Sequence, residues 1–185
     1  MEWAIPAVVV LLLIWLMVVY NRLVALRQVT NQSWSDIEVQ LKQRHDLIPN
    51  LVETVKGYAA HESKTLDAVV KARNVAASAQ SPDAIGKAEG ALTAQLGRIF
   101  ALAESYPDLK ADAGFRQLQS ELGDLENKIA AARRFFNNSA QEYNTARLQF
   151  PAVFIASNMG FHSVEYYAVP ESEREAVQSV PAVKF

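Results

Sequence analysis

The chain has no cysteine. That excludes a disulfide framework, a thiolate zinc site and a cysteine nucleophile. Glycine is scarce, with seven in 185 residues. None of the seven sits in a GxSxG elbow or a glycine-rich phosphate loop, so the common hydrolase and nucleotide-binding signatures are missing. There is no basic excess, because the formal net charge is −2. A nucleic-acid partner, which needs a cationic face, is therefore not expected. HExxH is absent as well: His61-Glu62 is followed by Ser63, Lys64 and Thr65. No Glu-x-x-His pair occurs, which leaves a ferritin-like di-iron site unsupported. No catalytic residue, metal ligand or cofactor is expected.

What the chain does have is one long uncharged run. From Trp3 to Tyr20 the sequence reads WAIPAVVVLLLIWLMVVY. As a helix it would be about 27 Å long, close to a hydrocarbon core of about 30 Å. Trp3 and Tyr20 stand at its ends, where aromatic rings favour the membrane interface. Pro6 falls in the first turn, where a missing N–H costs little. A cleaved signal peptide is disfavoured: the only charged side chain before the run is Glu2, and no small-x-small cleavage site follows. The run is read as an uncleaved anchor. Arg22 and Arg27 flank its C-terminal end, so the positive-inside rule places the N-terminus outside and the remainder in the cytoplasm.

Beyond the anchor, apolar residues recur in steps of three and four, or sums of them. Leu23, Leu26, Trp34, Ile37, Leu41, Ile48, Val52, Val55, Leu66 and Val69 predict one helix from about Asn21 to Ser78. Ser81-Pro82-Asp83 caps a second helix, with Ile85, Leu92, Leu96, Ile99 and Leu102 as its stripe. Tyr106-Pro107-Asp108 turns into a third, striped from Phe115 to Phe136 and stopped by Pro151. The fold class is all-α: a transmembrane helix at 1–20, continuing into a long antiparallel bundle of three or four helices over 21–150. A short helix and an irregular tail follow at 151–185.

Residues 42–62, KQRHDLIPNLVETVKGYAAHE, raise the question of a site. His45 and His61 lie about 24 Å apart along a straight helix and cannot share an ion. The stretch is better read as a buried polar layer beside a proline kink. Pro49 removes an N–H and leaves the His45 carbonyl in need of another donor, for which Asn50, Arg44 or a water is available. The expected layer joins Arg44, Asp46 and Asn50 to Arg133, Asn137 and Asn144 of the third helix, fixing register at some loss of stability. In the tail, Phe154, Phe161, Tyr166, Tyr167 and Phe185 are expected to find a groove, either on their own bundle or on a neighbouring copy, and they are the residues assigned to an oligomer contact.

Several long stretches resemble the LemA family: YNRLVALRQ at 20–28, WSDIEVQLKQRHDLIPNLVETVKGYAAHE at 34–62, ESYPDLKA at 104–111, FNNSAQEYN at 136–144 and the ending VPAVKF. The resemblance covers nearly the whole chain. It implies a bacterial or archaeal single-pass membrane protein with a cytoplasmic helical bundle and no known enzymatic activity. It also implies a part in membrane organisation, with magnetosome formation in one branch. Some members occur beside HtpX-type membrane metalloproteases. The expected function is a non-enzymatic scaffold that self-assembles on the lipid bilayer as a homo-oligomer. The alternative is an adaptor or sensor for a membrane enzyme such as that protease.

Overall fold

The computed structural model describes residues 3–168. Five α-helices follow one another: α1 (Ala4–Tyr58), α2 (Ser63–Ser78), α3 (Pro82–Ala103), α4 (Pro107–Ala111) and α5 (Ala113–Leu148). A 3-10 turn at Ala152–Phe154 and an extended segment complete the described chain, which is all-α as expected. No strand occurs among the described residues, so the β-branched and aromatic stretch after Gly160 is extended without pairing.

The predicted first helix is interrupted. It ends at Tyr58, and α2 begins at Ser63. Backbone bonds from Ala59 to Val55, Glu62 to Ala59 and Thr65 to Glu62 carry the chain round the break. The turn lets the α2 stripe, Leu66, Val69 and Ala76, pack on Ile48, Leu51, Val52 and Val55 of α1. The break falls where the apolar pattern skips, near Ala59 and Glu62. The third predicted helix is divided too, at Asp112. This residue closes α4 with its backbone N–H and accepts the Phe115 N–H at 2.7 Å on its side chain, starting α5. Ser81 caps α3 as expected, accepting the Ala84 N–H, with Pro82 in the first turn.

The described chain divides into two compact units. The first consists of α1 up to Asp36 with Ala132–Glu165. Its core is small: Leu23, Tyr143, Ala146, Ala152, Ala156 and Phe161. Trp34 packs on Phe136 with ring centroids 5.1 Å apart, so α1 and α5 run antiparallel here. Buried Thr30, Ser33 and Ser139 satisfy their hydroxyls on their own helices' carbonyls. The apolar start of α1 is exposed over its most hydropathic window and is long and apolar enough to cross a membrane. The second unit, Ile37–Ala131 with the segment from Tyr166, has the larger core, filled mostly by aliphatic side chains from all five helices.

Candidate functional site

In the second unit, α1 delivers Arg44 and His45 in succession. Neighbouring helical side chains diverge by about 100°, so the two bracket a third group from different directions. That group is Glu89 of α3. Arg44 Nη1 donates to Glu89 Oε2 at 3.1 Å, and His45 Nε2 lies 2.6 Å from Oε1. Arg44 Nη2 also donates to Thr93 Oγ1, one turn along α3, at 2.7 Å, and pairs with Glu126 Oε2 of α5 at 2.9 Å. Arg44 is 3% exposed and Glu89 is equally enclosed, whereas Glu126 is 42% exposed and opens the cluster to water on one side. One guanidinium thereby ties α1, α3 and α5 together.

Pro49 completes the arrangement. α1 passes through it as continuous helix. The His45 carbonyl, freed by the missing N–H, accepts from Arg73 Nε of α2 at 3.3 Å. The donor thus comes from another helix rather than from Arg44 or Asn50. The RHDLIP segment uses Arg44 and His45 for their side chains and Pro49 for the carbonyl it releases.

The expected polar layer is distributed differently. Asp46 is exposed and pairs with Lys42 at 2.8 Å, a bond that holds its carboxyl below the usual range. Asn50 is exposed too, and its backbone carbonyl accepts from Thr54. Both corrections follow from helix phase: residues two and six beyond Arg44 are turned far from its direction, so they face water when Arg44 faces the core. Arg133, Asn137 and Asn144 belong to the first unit, each half-buried on α5. The Asn144 amide donates to Val164 O at 2.8 Å and accepts from Val164 N at 3.0 Å, clasping the extended segment. Beside it, Tyr143 donates to His162 O at 2.9 Å, and burial pushes its phenol pKa up.

Two of the residues assigned to oligomer contacts are instead occupied within the chain. Phe161 is buried in the first unit, edge-on to Tyr20 at 5.5 Å, with the Arg27 guanidinium 5.1 Å from its ring centre. Gly160 makes this possible: at φ +77° it turns the chain so that Phe161 N reaches Ala156 O. Tyr167 is buried in the second unit. Phe154 and Tyr166 are exposed, and Phe185 lies outside the described residues.

The functional residues missed in the sequence are Glu89, Glu126, Thr93, Arg73 and Tyr143. Glu89 carried a usable signal. It occupies the stripe position between Ile85 and Leu92, where an apolar residue is due. Arg44 fills the same kind of vacancy between Leu41 and Ile48. Charges in two stripes are candidates for one another. Among the described residues no cluster of three His, Asp or Glu side chains is placed to hold a metal ion.

The chain is similar to several known proteins. The chain is 27% identical to the Magnetosome protein MamQ of Magnetospirillum gryphiswaldense over 174 residues, covering 80% of this chain and 64% of the relative. It is 25% identical, with the same coverage, to Magnetosome protein MamQ 2 of Paramagnetospirillum magneticum. Protein LemA of Metamycoplasma hominis is 26% identical over 151 residues, covering 77% of this chain and 66% of the relative. The chain thus spans a little under two thirds of the length of these relatives. The family model described as LemA family matches residues 33–185, which include α1 from Ser33 onward, the ion cluster and the Tyr143-Asn144 clasp. On that match, the chain belongs to the LemA family.

Proposed function

We propose that the chain is a membrane-anchored, non-enzymatic scaffold whose copies assemble side by side and organise or shape the membrane that holds them. The observation that carries this is α1: one helix, Ala4–Tyr58, contains both the apolar run and the first stripe of the bundle. No linker separates anchor from bundle. Copies held by such anchors share one plane and one orientation, which raises their effective concentration for lateral contact. Repeating contacts in a plane close into rings when the rotation permits. The buried charges are engaged with each other, which favours a structural use over a chemical one. Two relatives carry the magnetosome in their names, which supports the membrane-organising reading. Arg22 and Arg27 favour a cytoplasmic bundle and an inner-membrane location.

The test is particle size. The full chain in mild detergent, and in lipid discs large enough for several copies, is expected to run as a uniform multi-copy particle. A monomer under both conditions overturns the scaffold and leaves the adaptor or sensor for a membrane enzyme in its place. External protease on intact spheroplasts is expected to leave the bundle uncut.

A further inference from the structure

From Leu148 to Val164 the chain carries no Asp, Glu, Lys or Arg. Four large apolar side chains at its start are nevertheless exposed: Leu148, Phe150, Val153 and Phe154, with Phe150 at 81% and Phe154 at 72%. The two phenylalanine rings stand edge to face, 6.0 Å apart. Scattered exposed apolar residues are ordinary, but a contiguous group of this kind marks a surface with a partner.

The place of the group identifies the partner. Phe150 lines an open apolar groove of about 690 Å³ whose other walls include Leu11, Ile14, Trp15 and Val18 of α1. Those residues lie inside the span long and apolar enough to cross a membrane. A second groove between the same two helices is polar, lined by Arg22, Gln141, Glu142, Thr145 and Gln149. α1 changes from apolar to polar at Tyr20–Arg22, and α5 changes from polar to apolar at Arg147–Leu148. Antiparallel packing, with Leu23 against Tyr143 and Ala146, brings the two boundaries to the same level. Wherever Trp15 and Val18 sit in hydrocarbon, Phe150 sits beside them.

We propose that Leu148–Phe154 is a second membrane contact, a wedge of apolar side chains that enters the acyl region of one leaflet beside the anchor. Its occupant is lipid. The exposed Arg22, at the boundary, is placed to meet headgroup phosphates. The anchor crosses both leaflets, whereas the wedge adds area to the bundle-side leaflet alone. That asymmetry is a means of bending a bilayer, so the wedge deepens the scaffold reading and rests on its anchor.

The absence of cysteine allows single-site labelling of the full chain. Phe154→Cys, Val153→Cys, Leu12→Cys and Asn138→Cys variants, each carrying an environment-sensitive fluorophore, are reconstituted in vesicles of phosphatidylethanolamine and phosphatidylglycerol. Nitroxide groups on the acyl chains serve as quenchers. Positions 153 and 154 are exposed, so substitution there does not disturb the core. The expected result is a several-fold loss of emission at 12, 153 and 154 and none at 138. Quenching at 12 without quenching at 153 and 154 overturns the wedge and leaves the anchor standing. No quenching at 12 removes anchor and wedge together. Shielding of 153 and 154 from an aqueous quencher without quenching by lipid means that protein covers them, and this too overturns the proposal.

Discussion

The two units break the inside-out rule of protein structure in opposite senses. The second unit buries charge, Arg44 against Glu89, inside a large core drawn from five helices. The first unit has a main core cluster of six buried residues, three of them alanine, with Phe136 and Ala140 buried further along α5, and it leaves much of its apolar surface outside. A large core tolerates an embedded ion pair, because the surrounding aliphatic contacts carry the stability and the ions set the register. A small core has no such reserve. It rests on a few large side chains, Leu23, Tyr143 and Phe161, and on side-chain bonds to an extended segment. Each violation points to a use: internal specificity in one unit, an external apolar phase in the other.

The sharpest test of the contrast is within the first unit. Phe161→Ala is expected to cost about 3–5 kcal/mol, the usual range for emptying a buried aromatic site. Phe154→Ala empties no site within the protein and should cost clearly less. Denaturant unfolding of the full chain in micelles measures both. Equal effects would mean that the small core is not what holds the unit. In the second unit, Glu89→Ala leaves Arg44 and His45 facing a void and is expected to cost about 3 kcal/mol. Replacing Arg44, His45 and Glu89 together by apolar residues of similar volume should recover most of that loss. If the triple variant is as unstable as the single one, the cluster is not a register device laid over a sufficient core.

Much of this was legible beforehand, for physical reasons. Periodicity revealed α3 and most of α5, because each has one phase of burial along its length, and the apolar start of α1 showed as an unbroken uncharged run. The break after Tyr58 coincides with a skipped stripe position, and the single helix expected there follows from a stripe that resumes nearly in phase at Leu66. Arg44 stands at a stripe position, and it is buried. Its partners were assigned wrongly, because spacing along one helix does not say which other helix faces it. Asp46 was grouped with Arg44 by proximity in sequence, although two helical steps turn it toward water. The tail aromatics were recognised as needing cover. What covers Phe161 depends on the turn at Gly160, and no local pattern announces that φ.

The two units also hold the C-terminal segment by different means, side-chain clasps in the first and backbone proximity in the second. At Gly86 of α3 an added Cβ would stand 2.8 Å from Ala168 O and 2.9 Å from Ala168 N. Neither group is a flexible side-chain end, so Gly86→Ala must push the segment away. A loss of about 1–3 kcal/mol is expected, in the range of other overpacking changes. Faster hydrogen exchange around Tyr167 should accompany it. Gly97→Ala, on the same helix with open space around it, should instead stabilise by about 0.5–1 kcal/mol. Similar behaviour of the two variants would show that the segment does not lie on Gly86.

The smallest expected effect separates an aimed charge from a solvated one. Asp112 accepts the Phe115 N–H and, at 3.1 Å, the hydroxyl of Tyr58, the last residue of α1. The backbone bond, followed by the phenol, holds its carboxyl below the ordinary range. A carboxyl depressed in the folded state stabilises the fold above its unfolded pKa, and the contribution disappears as pH falls through the folded value. Tyr58 responds in the opposite window. Its hydrogen bond to Asp112 raises the phenol pKa, so that contribution is present below the ordinary tyrosine range and lost at higher pH. Asp112→Asn keeps an acceptor oxygen at the cap without the charge. The stability difference between the natural chain and Asp112→Asn is therefore expected at neutral pH and should shrink to nothing in acid. Asp46 is also depressed, but by the exposed Lys42 on an exposed helix face, where such pairs contribute little. Asp46→Asn should change the acid unfolding curve less than Asp112→Asn does. If the two curves coincide, Asp112 is a surface carboxylate like Asp46, and the junction of α4 and α5 is held by its backbone alone.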